Sequence, residues 1–510
     1  MEKTSVKTLS DLVRVSAAEY GSGIFIKEKN GKEISEKSFA EFYEDCKKIC
    51  GYFKTKEKLN AAIIGATGYN YLVCRLGTVL SGNAAVPIDA QLSCEDICDL
   101  LNRADVTVLF FDKRFEKYIE PIKANCKNVK TFICINGEVE KPLTEILSSG
   151  VSAEPVEVSS DDLAEIVYTS GTTGKSKGVM LSHGNYVDNT FCCDGEATPE
   201  DSLLTVLPIH HVYCYTCDIL LALRYGATVC VNDSMMRIPQ NLKLFRPTII
   251  LLVPMIAATI YKQIKAAAAA NPQIPIKAIA NDVFGGRLKG IYSGGAYLDP
   301  AIINAYSEIG IPIAQGYGMT ECSPRISCVN FNEKSFGDVG IIVNGCEVRT
   351  EDGEMLVKSP SVMKGYYKDT EETAKTITSD GWLRTGDLGY VENNRIFITG
   401  RKKNLIILSN GENVSPEELE NKFVSVEIVA EVLVYAEDSV ITAEVVPNPE
   451  YCAGMSDEEI VSQIKSAIDN INKTVSTSKA IRRIRLRKTE FDKTTSKKIR
   501  RNQAVKGDII

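Results

Sequence analysis

The 510-residue sequence predicts an α/β protein: two doubly wound βαβ layers carrying a small β-barrel, followed by a compact α+β segment. Three observations lead there. Residues 1 to 130, and again about 200 to 300, alternate short apolar runs with stretches of helical spacing. Strands separated by helices pair in parallel through crossovers, which is the ordinary route to a doubly wound sheet. From about residue 337 the texture changes to short strands broken by turn residues, which suggests a small β-barrel or sheet appended to the two layers. After residue 404 a helix with strong start signals opens the final segment. The chain is also too long for one ordinary core, so two or more domains are expected.

The elements follow in order. "SEKSFAEFYEDCKKICGYF" (35–53) has helical spacing, "NAAIIGA" (60–66) is a short apolar strand, "YLVCRLGTVLSGN" (71–83) is helical again, and "VTVLFFD" (106–112) is a further strand. The alternation resumes with the strands "DSLLTVLP", "GATVCVN" and "PTIILLVP". The helix "MIAATIYKQIKAAAAA", stopped by Asn271-Pro272, comes next, and then "LKGIYSGG". In the β-rich stretch, Glu351-Asp352-Gly353 and Glu392-Asn393-Asn394 read as hairpin turns. The helix "SPEELENKF" opens with Ser415 as N-cap, Pro416 at the first helical position and Glu418 completing a capping box.

Composition narrows the function. A 44% hydrophobic content with 25% charged residues supplies enough apolar surface for packed cores and argues against disorder. A net charge of -7 disfavours a nucleic-acid partner; the basic block at 479–506 is ordinarily a solvated face. The opening residues "MEKTSVKTLSDLVRV" lack the apolar core of an export signal, so the sixteen cysteines are expected as reduced thiols in the cytoplasm. The uncharged stretch 247–261 is too short to span a bilayer and is interrupted by Pro254.

"VYTSGTTGKSKGVMLSH" (167–183) carries the first functional signal. Its Gly174-Lys175-Ser176 imitates the end of a Walker A loop, but that motif needs a glycine five positions before Gly174, where Thr169 stands. "GVMLSHG" reads as a strand and not as the helix a Walker loop feeds. The stretch is therefore a glycine- and hydroxyl-rich loop between two strands. Such a loop can hold phosphates through converging amides, hydroxyls and a lysine; on spacing alone it can equally be a flexible surface loop. Another imitation follows at "HHVYCYTC" (210–217), where Cys214 and Cys217 suggest zinc. His210 and His211 are too close in sequence to serve easily as the second ligand pair, so no metal is expected there.

The complete string "YTSGTTGKSKG" (168–178) closely resembles the signature of the adenylate-forming superfamily, which includes acyl-CoA synthetases, luciferases and adenylation domains of nonribosomal peptide synthetases. Ser176 stands where that signature usually has proline. Further segments resemble the family's motifs in the same order over nearly the whole chain: "LPIHHVY" (207–213), "YSGGAYL" (292–298), "QGYGMTE" (315–321), "RTGDLGY" (384–390), "GRKKN" (400–404) and "KTTSKKIRR" (493–501). In the last, Lys497 occupies a position that is commonly glycine, and Asp492 one where proline is frequent.

The resemblance implies a site. Thr169, Ser170, Gly171, Thr172, Thr173 and Lys177 would hold the ATP phosphates. Gly294, Gly295 and Ala296 would lie beside adenine, and Gln315, Gly316, Tyr317 and Gly318 would form its other side, with Tyr317 stacking on the base. Thr320 would contact the α-phosphate and Glu321 would help hold Mg²⁺. Asp387 would accept the ribose hydroxyls and Arg401 would contact ribose and phosphate. His211 would lie beside the acyl carboxylate, and Lys498 would reach that carboxylate and the α-phosphate. The implied organisation is an adenylation domain at 1–399, a hinge at 400–404 around Lys403, and a mobile α+β lid at 405–510.

The same resemblance implies the chemistry: ATP and Mg²⁺ convert a carboxylic acid to acyl-AMP with release of pyrophosphate, and coenzyme A then takes the acyl group. "LPIHHVYCYTCDILLALRYGA" looks like fatty-acid or aryl-acid ligases, and "GRKKNLIILSNGENVSPEELE" is similar to bacterial long-chain acyl-CoA synthetases. A medium- to long-chain fatty acid is therefore the expected substrate. The alternatives are an aryl or other acid, or an acyl carrier protein as acceptor in trans. Because Asn410-Gly411 departs from the family's lysine-glycine, coenzyme A contacts do not transfer residue by residue. Peripheral membrane contact, and the choice between monomer and homodimer, stay open. A P-loop phosphotransferase fails on Thr169, and a regulator without catalysis would not need Glu321, Asp387, Arg401 and Lys498 together.

Overall fold

The structure, a computed structural model, describes the chain except residues 32, 55–56, 170–175, 332, 334–336, 409–412, 425, 439, 494–498, 502–505 and 510. Among the described residues two large sheets carry most of the chain.

The first sheet has eight strands. Asn60–Ile64 lies between Ala84–Ile88 and Val106–Phe111, parallel to both, and Thr131–Cys134 extends the parallel set. The connections are the helices Tyr69–Leu80 and Cys94–Arg103, as the alternation of periods predicts. Leu163–Thr169 and Lys177–Ser182 form an antiparallel pair on the other side of Ala84–Ile88, with Thr169 opposite Lys177. Both Thr169 and Lys177 thus belong to strands, and a strand follows where a Walker loop would need a helix.

The second sheet has thirteen strands. Ile249–Leu252 sits between Ser202–Thr205 and Gly290–Ser293, with Thr228–Val231 and Ile313–Gly318 outside them, all parallel. The stretch expected as a small β-barrel or sheet is the antiparallel end of this sheet. Arg325–Cys328, Ile341–Ile342, Arg395–Arg401, Leu383–Glu392, Glu354–Lys358 and Glu347–Glu351 follow one another outward from Ile313–Gly318. Both expected hairpin turns are present with the positive φ that a two-residue turn of this hand requires: Asp352 at 51° and Gly353 at 78°, Asn393 at 49° and Asn394 at 63°. At the far edge, Ile24–Asn30 pairs in parallel with Thr228–Val231, so the N-terminal hairpin joins the second sheet although the elements after it build the first.

A buried ion pair ties the layers together. Arg75, on the first-layer helix, donates to both carboxylate oxygens of Glu165 at 2.7 and 2.6 Å and to the Ile209 carbonyl at 2.6 Å; Tyr186 adds its hydroxyl to the same carboxylate at 2.5 Å. The Arg75 and Glu165 side chains have no exposed surface. Such a pair persists only with its remaining hydrogen bonds filled, as here.

Beyond Arg395–Arg401 the chain builds a smaller α+β unit. Val429–Glu437, Val440–Pro447, Arg483–Leu486 and Asp508–Ile509 form a four-stranded sheet, and its core includes Ile464, Ile468 and Ile471 from the helix Asp457–Asn472. Ser415 caps Pro416–Glu420 as expected, accepting from the Glu418 amide at 3.4 Å. The reciprocal half of the expected capping box does not form: the Glu418 carboxylate pairs with the Lys479 ammonium at 2.9 Å, a charged partner that a backbone amide cannot match.

Candidate active site

A pocket opens at the carboxyl ends of the parallel strands Gly290–Ser293 and Ile313–Gly318, where open α/β sheets expose their loops. Residues far apart in sequence meet on its wall: His211, Gly294, Gly295, Gly316, Tyr317, Gly318 and Thr320. Gln315 lies buried in its strand opposite Ser293, and Ala296 follows on the exposed turn.

The turn at Thr320 is set by close backbone approach. A Cβ on Gly318 would stand 1.9 Å from the Pro324 carbonyl oxygen, so only glycine lets the strand end fold back here. The Met319 amide then donates to that same oxygen at 2.9 Å. Thr320 is buried, and the Glu321 carboxylate beside it accepts the Tyr366 hydroxyl at 2.9 Å. That bond orients an anionic oxygen donor of the type a hard divalent cation takes.

Tyr317 leads to a second acid. Its hydroxyl donates to Asp387 Oδ2 at 2.7 Å, while Arg401 Nε lies 2.6 Å from Oδ1. Asp387 and Arg401 are direct cross-strand partners, so the hairpin register alone brings them together. Asp387 is 2% exposed, and its amide donates to Thr385 Oγ1 at 3.0 Å. Burial and the neighbouring Asp387 carboxylate push the Tyr317 phenol well above its usual range, so it stays a donor.

His211 caps a short helical turn, its Nδ1 accepting the Tyr213 amide at 3.3 Å. The segment before it is held by Arg75 through the Ile209 carbonyl. His210 faces Asp89, with Nε2 to Oδ2 at 3.8 Å, and burial pushes this imidazole toward its neutral form. Lys177 forms an ion pair with Glu372 and sits 5.0 Å from the centre of the Tyr366 ring. Lys403 lies in the short turn Lys402–Asn404, and Asn404 ties that turn to Glu417 by a hydrogen bond of 2.5 Å. Ser170, Gly171, Thr172, Thr173, Asn410, Gly411 and Lys498 lie outside the described residues.

Sequence reasoning missed four residues of this region. Tyr366 and Glu372 hold the predicted Glu321 and Lys177, and Glu196 and Arg325 line the pocket as an ion pair of 2.6 Å. None of them belongs to a stretch with a spacing signal. Arg325 stood four residues after Glu321 as an available cue, because an arginine at the start of an apolar strand is rarely buried without a partner.

Comparison with known proteins identifies the family. Residues 14–367 match the AMP-binding enzyme family, and residues 403–507 match the AMP-binding enzyme C-terminal domain. The long-chain-fatty-acid–CoA ligase FadD15 of Mycobacterium bovis is 27% identical over 504 residues, covering 85% of this chain and 83% of its own. Long-chain-fatty-acid–CoA ligase 5 of Rattus norvegicus is 26% identical, covering 82% of this chain and 71% of its own. Among solved structures, the O-succinylbenzoate coenzyme A synthetase of Bacillus subtilis, in complex with ATP and magnesium ion, superposes with a TM-score of 0.77 at 25% identity. The match covers 96% of this chain and 98% of that one.

Proposed function

The chain belongs to the AMP-binding enzymes, and from that premise we propose that it is an AMP-forming acid:CoA ligase that activates a medium- to long-chain fatty acid and passes the acyl group to coenzyme A. One observation carries the residue-level reading: His211, the Gly294-Gly295 turn and the Gly316–Thr320 segment line a single pocket, with Asp387 one hydrogen bond behind Tyr317.

A carboxylate acylates poorly because its leaving group would be oxide, so the chemistry needs charge neutralised at phosphorus more than it needs a general base. The carboxylate oxygen attacks the α-phosphorus of ATP, and the bond to the bridging oxygen breaks to release pyrophosphate. Thr320 and Lys498 offset charge on the nonbridging oxygens, and Glu321 supplies the carboxylate for Mg²⁺, which neutralises the phosphates when bound. Lys177 and the loop Ser170–Thr173, continuing from Thr169, hold the departing pyrophosphate; Lys177 leaves Glu372 to do so. Tyr317 and Gly294 to Ala296 flank adenine, with Gln315, Gly316 and Gly318 shaping the same wall. Asp387 and Arg401 take the ribose, and His211 borders the acyl carboxylate. In the second step the coenzyme A thiol displaces AMP after residues 405–510 turn about Lys403 as one lid on the body formed by 1–399.

The lid reading is supported by the match of residues 403–507 to a C-terminal domain of their own. All sixteen cysteines are free, which supports a reducing, cytoplasmic setting, and among the described residues no helix is long and apolar enough to cross a membrane. Acid-dependent exchange of radiolabel from pyrophosphate into ATP over a panel of carboxylic acids tests the first half-reaction. Thioester assays with coenzyme A and with an acyl carrier protein then identify the acceptor. Exchange is expected with alkyl acids and transfer to coenzyme A. Transfer to the carrier protein alone would reassign the acceptor, and absence of exchange with every acid would overturn the reading.

A further inference from the structure

A largely apolar pocket wall contains one charged pair. Arg325 and Glu196 line it, each 7% exposed, and pair through Arg325 Nη1 and Glu196 Oε1 at 2.6 Å. Arg325 Nη2 is taken by the Asn189 carbonyl at 2.7 Å. Arg325 Nε and Glu196 Oε2 are buried and have no hydrogen-bond partner, and Ser293 Oγ, on the same pocket, is in the same state. The remaining wall here includes the apolar Cys217, Leu221 and Tyr292. A pocket for a plain alkyl tail has no use for a buried donor and acceptor left unfilled, since each costs desolvation without return. Elsewhere in the core the comparable pair, Arg75 with Glu165, has its carboxylate filled by Tyr186 and its remaining guanidinium nitrogen by Ile209.

We propose that Arg325 and Glu196 form a specificity site for a neutral hydroxyl on the acyl substrate, so that the enzyme prefers hydroxy-substituted carboxylic acids over their unsubstituted counterparts. A hydroxyl suits either open position, since its oxygen can accept from Arg325 Nε–H or its proton can be donated to Glu196 Oε2. A second carboxylate on the substrate is excluded, because Glu196 already neutralises the Arg325 charge and would repel it. A bare methylene tail leaves both groups unpaired, the situation in which a site built for a hydroxyl rejects the analogue lacking it far more strongly than an apolar pocket discriminates by size. This inference rests on the acid:CoA ligase reading and names the class of acid.

The test is pyrophosphate exchange by the full-length wild-type enzyme with matched acids: octanoate, 8-hydroxyoctanoate and octanedioate, and 3-phenylpropanoate with its 4-hydroxyphenyl counterpart. The hydroxylated member of at least one pair should exceed its counterpart in kcat/KM by about tenfold or more, with the KM for ATP unchanged, and octanedioate should be the poorest acid of its series. The double variant Glu196→Leu/Arg325→Met, which removes both charges together, should bring that ratio to one or below. Exchange with a ratio near or below one in both pairs, or a folded double variant that keeps the wild-type preference, overturns the inference and leaves the ligase reading standing. Exchange with no acid overturns both. Should the double variant fail to fold, the wild-type ratios alone decide.

Discussion

Asp387 shows how much one residue can be read in advance. A carboxylate in a short motif is visible in sequence, and its partner Arg401 follows from the register of the hairpin whose first strand carries it. Removing its charge while keeping its shape, Asp387→Asn, should raise the KM for ATP by about 10- to 100-fold with a smaller change in kcat, in line with the loss of charge-assisted hydrogen bonds to a substrate. Steady-state kinetics at varied ATP check this; an unchanged KM removes Asp387 from the nucleotide site. The ion pair of Lys177 with Glu372 was not legible, because 195 residues separate the two and only sheet order brings them together. His183 gives a prediction of another kind. It is fully buried, neither ring nitrogen has a hydrogen-bond partner, and burial pushes its pKa from 6.5 down to about 4. The unfolded chain therefore binds more protons than the folded one between those values, so stability rises with pH across the window from about 4 to 6.5 and is fully present above it. The contribution is about 3 kcal/mol. His183→Phe should flatten this acid limb in urea unfolding at pH 4.5 against pH 7; an unaltered slope would show that His183 does not titrate in this way.

The turn after Ile313–Gly318 carries the site at the scale of an element. Because a Cβ at position 318 would meet the Pro324 oxygen at 1.9 Å, Gly318→Ala must push the strand end away from the following turn and displace Thr320 and Glu321. Stability should fall by about 1–3 kcal/mol, and exchange activity by about 100-fold, since an ångström of misplacement suffices for that. Thermal unfolding beside the exchange assay separates the two effects, and full activity in a folded variant would show that the turn does not position the reacting groups. Element boundaries were legible where local chemistry decides them: the type I′ turns at Asp352-Gly353 and Asn393-Asn394, the Ser415 cap, and the helix that Asn271-Pro272 ends. The capping-box half that failed, at Glu418, was lost to Lys479, a residue 61 positions away that local sequence does not present.

Over the whole molecule, one buried network and one proposed motion organise the chain. Arg75 and Glu165 join the first sheet to the segment before His211, and Glu165→Ala should cost about 3–5 kcal/mol because it strands a buried guanidinium; a melting temperature unchanged from wild type would show that the pair contributes little. The proposed lid predicts that Lys498→Ala abolishes adenylate formation yet leaves thioester formation from supplied acyl-AMP largely intact, and equal loss in both half-reaction assays would remove Lys498 from the first step alone. The sequence by itself determined the alternating layers, the strands on either side of residues 170–175, the order of the motifs and hence the reaction class, because periodicity, turn chemistry and short motifs are written in neighbouring residues. Tertiary structure alone decided that the N-terminal hairpin crosses to the second sheet, that the β-rich stretch continues that sheet, and that Arg325 meets Glu196 on the pocket wall. Those outcomes depend on which distant surfaces bury one another and which buried charges find partners, and that balance is struck only when the whole chain packs.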